Sequence, residues 1–555
     1  MMRDFFKTYD RNPHFTGRAE VLNDVNTALK ANKPVALVGP DGNGKSQIAE
    51  EYARLHVADY DFIFWVRAND QTTLAIDYAE MSKLQNMSYD EEGSLIEAIE
   101  NVQRWFVQNS RWLLIFDGAT SLQSLEEFLP RSETGKVIIT SSDAILENVA
   151  TTIAVEPLKR SESIQFLQKR TGIEDETSSD ALAEVLGDLP MALEMAGAYI
   201  SSTGITISEY LKIYQKNLHK GLNQISSHCP DSIATIWDIS YQQVQALSQE
   251  GADLLNLSAF LSPDDLPIDI LVEASTLQFQ SLDDAVKVLN QRGLIKIGEE
   301  SLSVHPLIQA ATFIHLNKES RATWVESTLM ALSGAFSAYL ENISTWSKCA
   351  RMLPHAFVLS EHAQNMEIEP METSTLLNQV GLYLHRRGYF TGAKVALERL
   401  LAIDEKIFGP NHQEVATDLN NLGGVLRAMG DLIGARENFK RSLKIEESAK
   451  EPDHIKIAVR ANNLGTVLRA LGDLDEAMEA FQRALVIDEA SYGPNHFKTA
   501  IRINNLGEVL QEMGDVDNAR DHYQRALLIF QEFLGFGHKY TQRAQENLDS
   551  LSQGR

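Results

Sequence analysis

The sequence predicts a multidomain protein with an α/β domain at its N-terminus and an all-α solenoid in its C-terminal third. Two patterns carry this prediction. Over roughly the first 155 residues, short apolar runs alternate with amphipathic helical segments, which is typical of a parallel sheet covered by helices on both faces. The last third repeats with a period of 42 residues, which is typical of stacked helix pairs.

Five unbroken apolar runs are the candidate strands of the α/β domain. They are residues 35–38, 62–66, 113–116, 137–140 and 153–155. Parallel sheets of this kind bind ligands beyond the carboxyl ends of their strands. We therefore expect the functional groups of this domain to follow these runs directly.

A glycine-rich loop follows the first strand. Residues 39–46 read Gly-Pro-Asp-Gly-Asn-Gly-Lys-Ser, which fits the pattern G-x-x-x-x-G-K-[ST], and the helical segment 47–56 comes next. The backbone N–H groups of such a loop converge on phosphate, its lysine reaches the β- and γ-phosphates, and its serine binds Mg²⁺. A chance glycine-rich turn is the alternative, but the flanking strand and helix favour an ATP or ADP site. The expected cofactor-binding residues are Gly39, Gly42, Asn43, Gly44, Lys45, Ser46 and Gln47.

Asp117 closes the third candidate strand and has the form of a Walker B acid. A carboxylate at the end of a neighbouring strand can hold the Mg²⁺ that Ser46 also contacts. A plain turn residue is the alternative. We expect Ser46 and Asp117 to bind Mg²⁺, and Lys45 and Asp117 to be the catalytic groups of any hydrolysis.

The composition indicates a soluble protein of about three or four domains. The 555 residues are 44% hydrophobic and carry a net charge of −27, which argues against a nucleic-acid partner because phosphate neutralisation needs a basic surface. Cys229 and Cys349 are far apart in sequence, which argues against zinc. Residues 1–20 lack the apolar core of a signal peptide, and no run approaches the ~20 apolar residues of a membrane span. We expect a cytoplasmic protein with no membrane partner.

Between the α/β domain and the solenoid the pattern is mostly helical. Short β-like runs at 294–297 and 302–304 follow helical segments, which suggests a winged-helix domain. The predicted domains are a P-loop nucleotide-binding domain at 1–158, a small helical domain at 159–225, a winged-helix domain at 226–316, a helical linker at 317–375 and the repeat array at 376–555.

Glycine, alanine and turn residues recur at fixed positions of each 42-residue unit. Gly430 suits the end of one helix, Asp431 the start of the next and Ala435 a close contact between them. The first repeat departs, because Tyr389 replaces the capping aspartate. The spacing resembles tetratricopeptide repeats lengthened to 42 residues, as in the kinesin light chain, over residues 376–550.

Several motifs in the first 315 residues stand in a characteristic order. They are Phe-Thr-Gly-Arg at 15–18, the loop at 39–46, and the segments 113–117, 135–141, 187–193 and 304–307. In this order they resemble the NB-ARC (STAND) ATPases of plant resistance proteins and apoptotic-protease-activating factor, over residues 12 to about 315. The resemblance implies a nucleotide-binding, a small helical and a winged-helix domain that close around ADP at rest.

The same resemblance implies roles for single residues. Phe15, Thr16 and Arg18 would line the adenine side of the site. Pro190 would pack against the base, and His305 would sense the β-phosphate and lock the closed state. Each has a plainer alternative: Phe15 as a core aromatic, Pro190 as a helix breaker and His305 as a hydrogen-bonded core histidine.

Three positions depart from the family pattern. Gly118 stands where a second acid or an asparagine is often found, and Ser142 stands where an arginine commonly senses the γ-phosphate. Pro306 replaces the usual aspartate after the histidine. Loss of an acid and an arginine removes groups that orient water and neutralise transferring charge. We expect intact nucleotide binding and at most a slow ATPase.

Amide side chains share one phase of the repeat. Stacked inner helices would align them along a concave surface, where an amide can pair with the backbone of an extended peptide. The alternative is that the asparagines bond between repeats, and the sequence leaves both open. The candidate peptide-binding residues are Asn378, Asn420, Arg427, Asn462, Arg469 and Asn504.

Together the motifs predict an ATP/ADP-binding signal-transducing switch. A protein or peptide trigger would bind the repeat groove, ATP would replace ADP, and the nucleotide domains would assemble into a homo-oligomer in defence or stress signalling. The alternatives are a nucleotide-stabilised scaffold that recruits partners through its repeats and, less favoured, a P-loop kinase. About fourteen residues precede the Phe-Thr-Gly-Arg motif, so we expect the effector to be a partner protein or the chain to be a fragment.

Overall fold

A computed structural model describes residues 4–6, 11–84, 94–132, 134–143, 149–218, 230–268, 281–298, 302–368 and 370–553. The chain divides into two compact units, Met1–Gln379 and Val380–Arg555. The predicted boundary between residues 225 and 226 lies outside the described residues, as does Cys229. Cys349 is buried. Within the described part of the chain, no helix is long and apolar enough to cross a membrane.

A six-stranded parallel sheet forms the core of the first unit, with strand order β1-β3-β4-β5-β2-β6. The strands are β1 Asp4–Phe6, β2 Val35–Val38, β3 Phe62–Arg67, β4 Trp112–Ala119, β5 Lys136–Ser141 and β6 Thr151–Ala154. The five predicted strands are confirmed, with small shifts at their ends. The edge strand β1 was not predicted, because a run of three residues carries no periodic signal.

Helices cover both faces of this sheet. Ile63 and Trp65 of β3 pack in one apolar cluster with Ile48. Phe64, which points the other way, lies edge-on to Trp105 and Phe106, with ring centroids 5.4 and 5.9 Å away. The helices of this part are α1 Ala19–Lys30, α2 Lys45–Leu55, α3 Gln71–Leu84, α4 Leu95–Gln108 and α5 Leu122–Leu125.

The remaining described residues of the first unit form helices and one short hairpin. Lys296 and Ile297 of β7 pair in antiparallel register with Ser303 and Leu302 of β8, Leu302–Ser303. This hairpin lies where the sequence predicts a winged-helix domain, which stays a prediction, as do the domain boundaries. The helices are α6 Arg160–Thr171, α7 Glu176–Val185, α8 Pro190–Thr203, α9 Ile207–Leu218, α10 Asp231–Leu247, α11 Gln249–Ser258, α12 Leu282–Gln291, α13 Pro306–His315, α14 Lys318–Leu340, α15 Trp346–Met366 and α16 Pro370–Arg386, which runs into the second unit.

The second unit is all helical and follows the 42-residue period. Gly430 has a positive φ of 83°, and the Asp431 carboxylate accepts a hydrogen bond from the Gly434 N–H at 2.9 Å, as a helix-capping residue does. Ala435 is fully buried. These observations confirm the predicted helix–turn–helix unit. The helices are α17 Phe390–Phe408, α18 Gln413–Ala428, α19 Leu432–Glu447, α20 His454–Leu471, α21 Leu474–Tyr492, α22 Phe497–Glu512, α23 Val516–Leu534 and α24 Lys539–Gln553.

Candidate functional site

The glycine-rich loop joins β2 to α2 at the carboxyl edge of the sheet, as the sequence predicts. Gly42 and Gly44 have φ values of 87° and 85°, which residues with a Cβ atom rarely adopt. Gly44 directly precedes α2, so this helix starts at Lys45 with its N–H groups facing the loop. This backbone shape is the one that lets successive N–H groups surround a phosphate.

The Lys45 ammonium lies inside the curl of the loop. Its Nζ donates to the carbonyl oxygens of Gly39 at 2.7 Å and Pro40 at 3.1 Å, and it pairs with Asp41 at 3.2 Å. The Lys45 side chain is only 10% exposed. A phosphate bound here would therefore meet a cation that the loop backbone already positions.

Ser46 and Asp117, which are 71 residues apart in sequence, meet at this edge. The Ser46 hydroxyl donates to Asp117 Oδ1 at 2.7 Å. The Thr140 hydroxyl donates to the same oxygen at 2.5 Å and accepts from the Gly118 N–H at 2.8 Å. A hydroxyl beside a carboxylate is an oxygen donor set of the kind Mg²⁺ prefers, so these residues fit the predicted ion. Sequence reasoning assigned no role to Thr140, although it is the last residue of a candidate strand.

Gly118 and Ser142, the two departures that bear on hydrolysis, have different surroundings. A Cβ atom at Gly118 would lie 2.2 Å from Oδ1 of Asn69, so the Asn69 amide occupies the space next to Asp117 that a larger residue would fill. Asn69 follows β3 and was not singled out from the sequence. Ser142 is exposed. Polar character beside Asp117 thus comes from a neighbouring strand, whereas no cation replaces Ser142 within the sequence segment that follows β5, as far as residue 143.

Arg18 ties the Phe-Thr-Gly-Arg motif to the loop. Its Nη2 donates to the Asn43 carbonyl at 3.0 Å, and its backbone N–H donates to Glu162 at 3.1 Å. The Asn43 amide in turn donates to the carbonyl of Val155 at 2.7 Å. Burial lowers the pKa of Arg18, and Glu162 opposes this shift. Arg18 and Asn43 therefore fix the outer side of the loop against β6 and α6.

Phe15 and Thr16 of this motif, and Gln47 of α2, have more local contacts. Phe15 is partly buried against the apolar cluster beneath α1 and α2, which fits its alternative as a core aromatic. The Thr16 hydroxyl donates to the carbonyl of His14 at 2.8 Å. Gln47 accepts from the Asn12 amide at 2.8 Å and donates to Glu50 at 3.1 Å. These side-chain hydrogen bonds of Thr16 and Gln47 therefore go to His14, Asn12 and Glu50.

Two distant segments of the first unit reach Gly42. The N–H of Met191, which follows Pro190 at the start of α8, donates to the Gly42 carbonyl at 3.2 Å. A Cβ atom at Gly42 would lie 3.2 Å from Cδ1 of Leu307 and 3.4 Å from Cβ of Met191. The segments at 187–193 and 304–307, which the sequence grouped by their order, therefore converge on the loop.

His305 caps α13 directly beside this contact. Its Nδ1 accepts from the Leu307 N–H at 3.1 Å. Burial, with help from the charges of Lys296 and Lys45 and against that of Asp41, lowers the pKa of His305 to about 4. The imidazole is therefore neutral at neutral pH and lies within electrostatic reach of the loop.

The asparagines of the repeat array bond between repeats. Asn463 donates to Asn420 Oδ1 at 2.9 Å, Asn505 to Asn462 Oδ1 at 2.8 Å, and Asn547 to Asn504 at 3.3 Å. Each bond joins one repeat to the next, which is the alternative that the sequence left open. This arrangement uses the amide oxygens of Asn420, Asn462 and Asn504.

The remaining candidate groove residues differ in their surroundings. Arg469 pairs with Glu508 and lies 3.6 Å from Glu512. Arg427 is exposed in α18, and Asn378 lies in α16. Their role in binding a peptide stays a prediction.

Comparison with known proteins identifies the repeats and one relative. The tetratricopeptide repeat family matches residues 372–448, 419–490 and 456–532. A nucleotide-binding leucine-rich repeat (NLR)-like protein of Hyaloscypha variabilis is 25% identical over 470 residues, covering 74% of this chain and 46% of the relative. The chain combines an N-terminal α/β domain, which carries the glycine-rich loop, with C-terminal tetratricopeptide repeats. It spans about half the length of that relative.

Two solved structures are similar at low sequence identity. A STAND protein with a tetratricopeptide repeat sensor from Pyrococcus horikoshii is 15% identical with a TM-score of 0.40, covering 98% of this chain and 87% of that one. A Walker-type ATPase of Pyrococcus abyssi is 14% identical with a TM-score of 0.31, covering 55% of this chain and 98% of that one.

Proposed function

We propose that the first unit binds ADP or ATP with Mg²⁺ at loop 39–46 and acts as a nucleotide-dependent signalling switch of the NB-ARC type. The observation that carries this proposal is the environment of Gly42. Its carbonyl accepts from the Met191 N–H at 3.2 Å, and its Cα faces Leu307. A group that binds inside the loop would therefore act on three separate parts of the unit at once.

Each residue around the loop would have a separate role in nucleotide binding. Lys45 supplies positive charge to the phosphates, and Ser46 with Asp117 holds Mg²⁺, which neutralises phosphate charge when it is bound. Arg18 fixes the loop from outside through the Asn43 carbonyl. His305, neutral and next to the loop, is the group on the far side that would report which phosphates are present.

A buried charge cluster supports a closed resting state of this unit. Arg67, at the end of β3, forms an ion pair with Asp77 at 2.7 Å, and its other terminal nitrogen lies 4.0 Å from Asp265. Asp265 also pairs with Arg351 of α15 at 3.1 Å, and its carbonyl bonds the His355 ring at 3.1 Å. Arg67 is the register partner of Asp117, so this cluster begins at the proposed Mg²⁺ site. A switch needs such contacts, which exist in only one of its states.

Hydrolysis would be slow in this account. Gly118 brings no side chain to the water-orienting position, and Asn69 fills the adjacent space. Ser142 replaces the arginine that would neutralise charge on the γ-phosphate, a change that can be worth orders of magnitude in rate. Exchange of ADP for ATP, not turnover, would then set the state of the switch.

The repeats would provide the input. Tetratricopeptide repeats present extended surfaces formed by stacked helix pairs, which suit a protein or peptide trigger. We propose that trigger binding and ATP together release the closed unit and allow ATP-dependent homo-oligomer assembly, with an effector protein supplied in trans, in defence or stress signalling.

One observation favours the second candidate, a scaffold that keeps its nucleotide as a permanent structural cofactor. Both Gly118 and Ser142 lack groups that hydrolysis would use, and the loop is fixed by Arg18, Met191 and Leu307. Such a protein would need no exchange and would recruit partners through its repeats alone.

Nucleotide exchange separates the two candidates. The purified chain, loaded with a fluorescent ADP analogue, is mixed with excess ATP and Mg²⁺, and release is followed together with particle mass by light scattering. The switch predicts release of the analogue and a rise in particle mass when a trigger is present. It predicts the same when a substitution such as Asp265→Asn weakens the closed state. The scaffold predicts retained analogue and constant mass. A chain that binds no analogue at all contradicts both.

A further inference from the structure

Buried ion pairs join successive helices at two places in the repeat array. We call each contact between the second helix of one repeat and the first helix of the next a junction. At one junction Glu446 of α19 pairs with Arg460 of α20 at 2.9 Å. At the next, Asp488 of α21 pairs with Arg502 of α22, also at 2.9 Å. All four residues are more than nine-tenths buried. Each of these junctions therefore holds a buried carboxylate and a buried guanidinium group whose charges neutralise each other.

The preceding junction, between α17 and α18, has no arginine at the equivalent position. Asp404 stands 42 residues before Glu446, and Asp418 stands 42 residues before Arg460, so an aspartate replaces the arginine. Asp404 is 4% exposed and Asp418 is 5% exposed. The two side chains share a hydrogen bond. Within the described part of the chain, Asp404 Oδ1 and Asp418 Oδ2 have no hydrogen-bond partner.

The guanidinium group of Arg460, at the next junction, already has its own partners. Arg460 pairs with Glu446, donates from Nε to the Ser442 hydroxyl at 2.8 Å, and donates from Nη2 to the Thr417 hydroxyl at 3.2 Å. Although Thr417 precedes Asp418 in sequence, Arg460 uses its donors on these three partners.

Other charges around the pair do not neutralise it. Glu414, one helical turn before Asp418, adds negative charge. Arg441 of α19 pairs with Glu405, the neighbour of Asp404, at 2.5 Å in a more exposed position. The acid pair therefore faces a negative neighbour on its own helix and a cation that another carboxylate already holds.

Two buried carboxyl groups in contact cannot both ionise without a cation, so one of them keeps a proton. Burial, the charge of Asp404 and the hydrogen bond with it, and then Glu414, raise the pKa of Asp418 to about 8. Arginine remains charged across the whole physiological range, so the Glu446–Arg460 and Asp488–Arg502 junctions lack this sensitivity.

We propose that a bound proton stabilises the α17–α18 junction in place of the arginine used at the two following junctions, so that this junction, unlike those two, loosens as the pH rises from acidic to mildly alkaline values. Opening exposes both carboxyl groups to water and releases the proton. The opening equilibrium should therefore rise by up to tenfold per pH unit while the closed junction still holds its proton, and level off once the proton is lost.

Hydrogen exchange of the full chain tests this junction against its own internal controls. Peptide-resolved exchange is measured between pH 6 and 9 and corrected for the intrinsic pH dependence of amide exchange. We expect the protection of α17 and α18 to fall by up to tenfold per unit up to about pH 8, whereas protection of α19–α20 and α21–α22 stays nearly constant. An equal response of all three junctions, or none at the first, overturns the proposal.

Two substitutions sharpen the test. Asp418→Asn is nearly isosteric and cannot ionise, so it should remove the pH dependence at the first junction. Asp418→Arg restores the residue type of the other junctions and should give α17–α18 constant protection. If Asp418→Arg disturbs folding, Asp418→Asn decides alone: a variant that keeps the wild-type dependence contradicts the proposal.

Discussion

Lys45 is the residue whose contacts bear most directly on nucleotide binding. In the described loop its ammonium is held by two carbonyl oxygens and the Asp41 carboxylate, all within 3.2 Å. A bound phosphate would give the ammonium anionic oxygens in place of the two neutral carbonyl oxygens, and lysine forms short, strong hydrogen bonds with phosphate. The affinity for nucleotide should therefore depend on this side chain more than on any single contact around the loop.

We predict that Lys45→Ala abolishes stabilisation by ADP. In the wild type, ADP at ~100 times its Kd should stabilise the first unit by about 2.7 kcal/mol, because only the folded state binds it. The measurement is the thermal midpoint with and without ADP and Mg²⁺. Lys33→Ala, at an exposed position before β2, is the matched control and should keep the shift. A full ADP shift in Lys45→Ala would contradict the site.

The ring of His305 should make the stability of the first unit depend on pH. Because the pKa of His305 is lowered to about 4, the folded protein leaves this ring neutral where the unfolded chain binds a proton below about pH 6.5. Stability should fall on acidification from pH 6.5 towards 4, by at most about 1.4 kcal/mol per pH unit for this group. Buried His355, whose pKa is also lowered to about 4 by burial, adds to the same slope.

Unfolding midpoints at pH 6.5, 5.8 and 5.0 test this expectation. His305→Gln should show a shallower loss over this range than the wild type, whereas His454→Gln, at an exposed position in the array, should match the wild-type slope. Identical slopes in His305→Gln and the wild type would show that the ring is not held neutral.

At this scale the sequence predicted residues whose spacing is fixed by one local structure. Lys45 and Ser46 belong to a single loop, and Asp117 ends an apolar strand, so pattern alone found them. The same edge also carries Thr140 and Arg67, which lie near the ends of strands, and Asn69, which follows one, but only the register of the sheet brings them there. Their contacts depend on tertiary geometry, for which no local spacing exists.

Among the elements, the helix junctions of the array depend on buried ion pairs. Arg460 is 3% exposed and Glu446 fully buried. We predict that Arg460→Ala destabilises the second unit by about 3–5 kcal/mol, because it leaves a buried carboxylate unpaired. The effect is measured as lost hydrogen-exchange protection in α19 and α20.

Arg436→Ala provides the control for this substitution. Arg436 is half-buried and lies 3.8 Å from Asp473, a pair of the kind that contributes at most about 1 kcal/mol. The double variant Arg460→Met with Glu446→Leu should recover most of the loss, since buried pairs can be replaced by apolar residues of similar size. Equal effects of Arg460→Ala and Arg436→Ala would contradict the role of the buried pair.

The elements themselves were largely predictable, and their side-chain partners were not. The 42-residue period gives the helix pairs and Asp431 as a cap, because capping is local. The same period aligns Asn420 with the amides of the other repeats but does not show which residue it contacts. That Asn463 donates to Asn420 of the preceding repeat follows from how far one repeat is shifted along the next, which sequence spacing does not encode.

For the first unit as a whole, the contacts of Asp265 should hold its parts together. Asp265 has a positive φ of 56°, a conformation that asparagine also adopts readily, so Asp265→Asn should preserve the backbone while removing the charge that faces Arg67 and Arg351. We predict faster release of a fluorescent ADP analogue, by several-fold, because the closed arrangement loses differential contacts. Asp283→Asn, exposed in α12, should release the analogue at the wild-type rate. Equal rates in both variants would contradict a closed state held at Asp265.

The proposed switch depends on one exchangeable nucleotide at loop 39–46. Native mass spectrometry of the full chain tests it most directly, since it reports bound ligand and stoichiometry in one spectrum. We predict one ADP with Mg²⁺ per wild-type chain after incubation with ADP, replacement of ADP by ATP in Asp265→Asn when ATP is in excess, and no bound nucleotide in Lys45→Ala. A wild-type chain whose mass stays that of the polypeptide alone at saturating ADP and ATP would contradict the account.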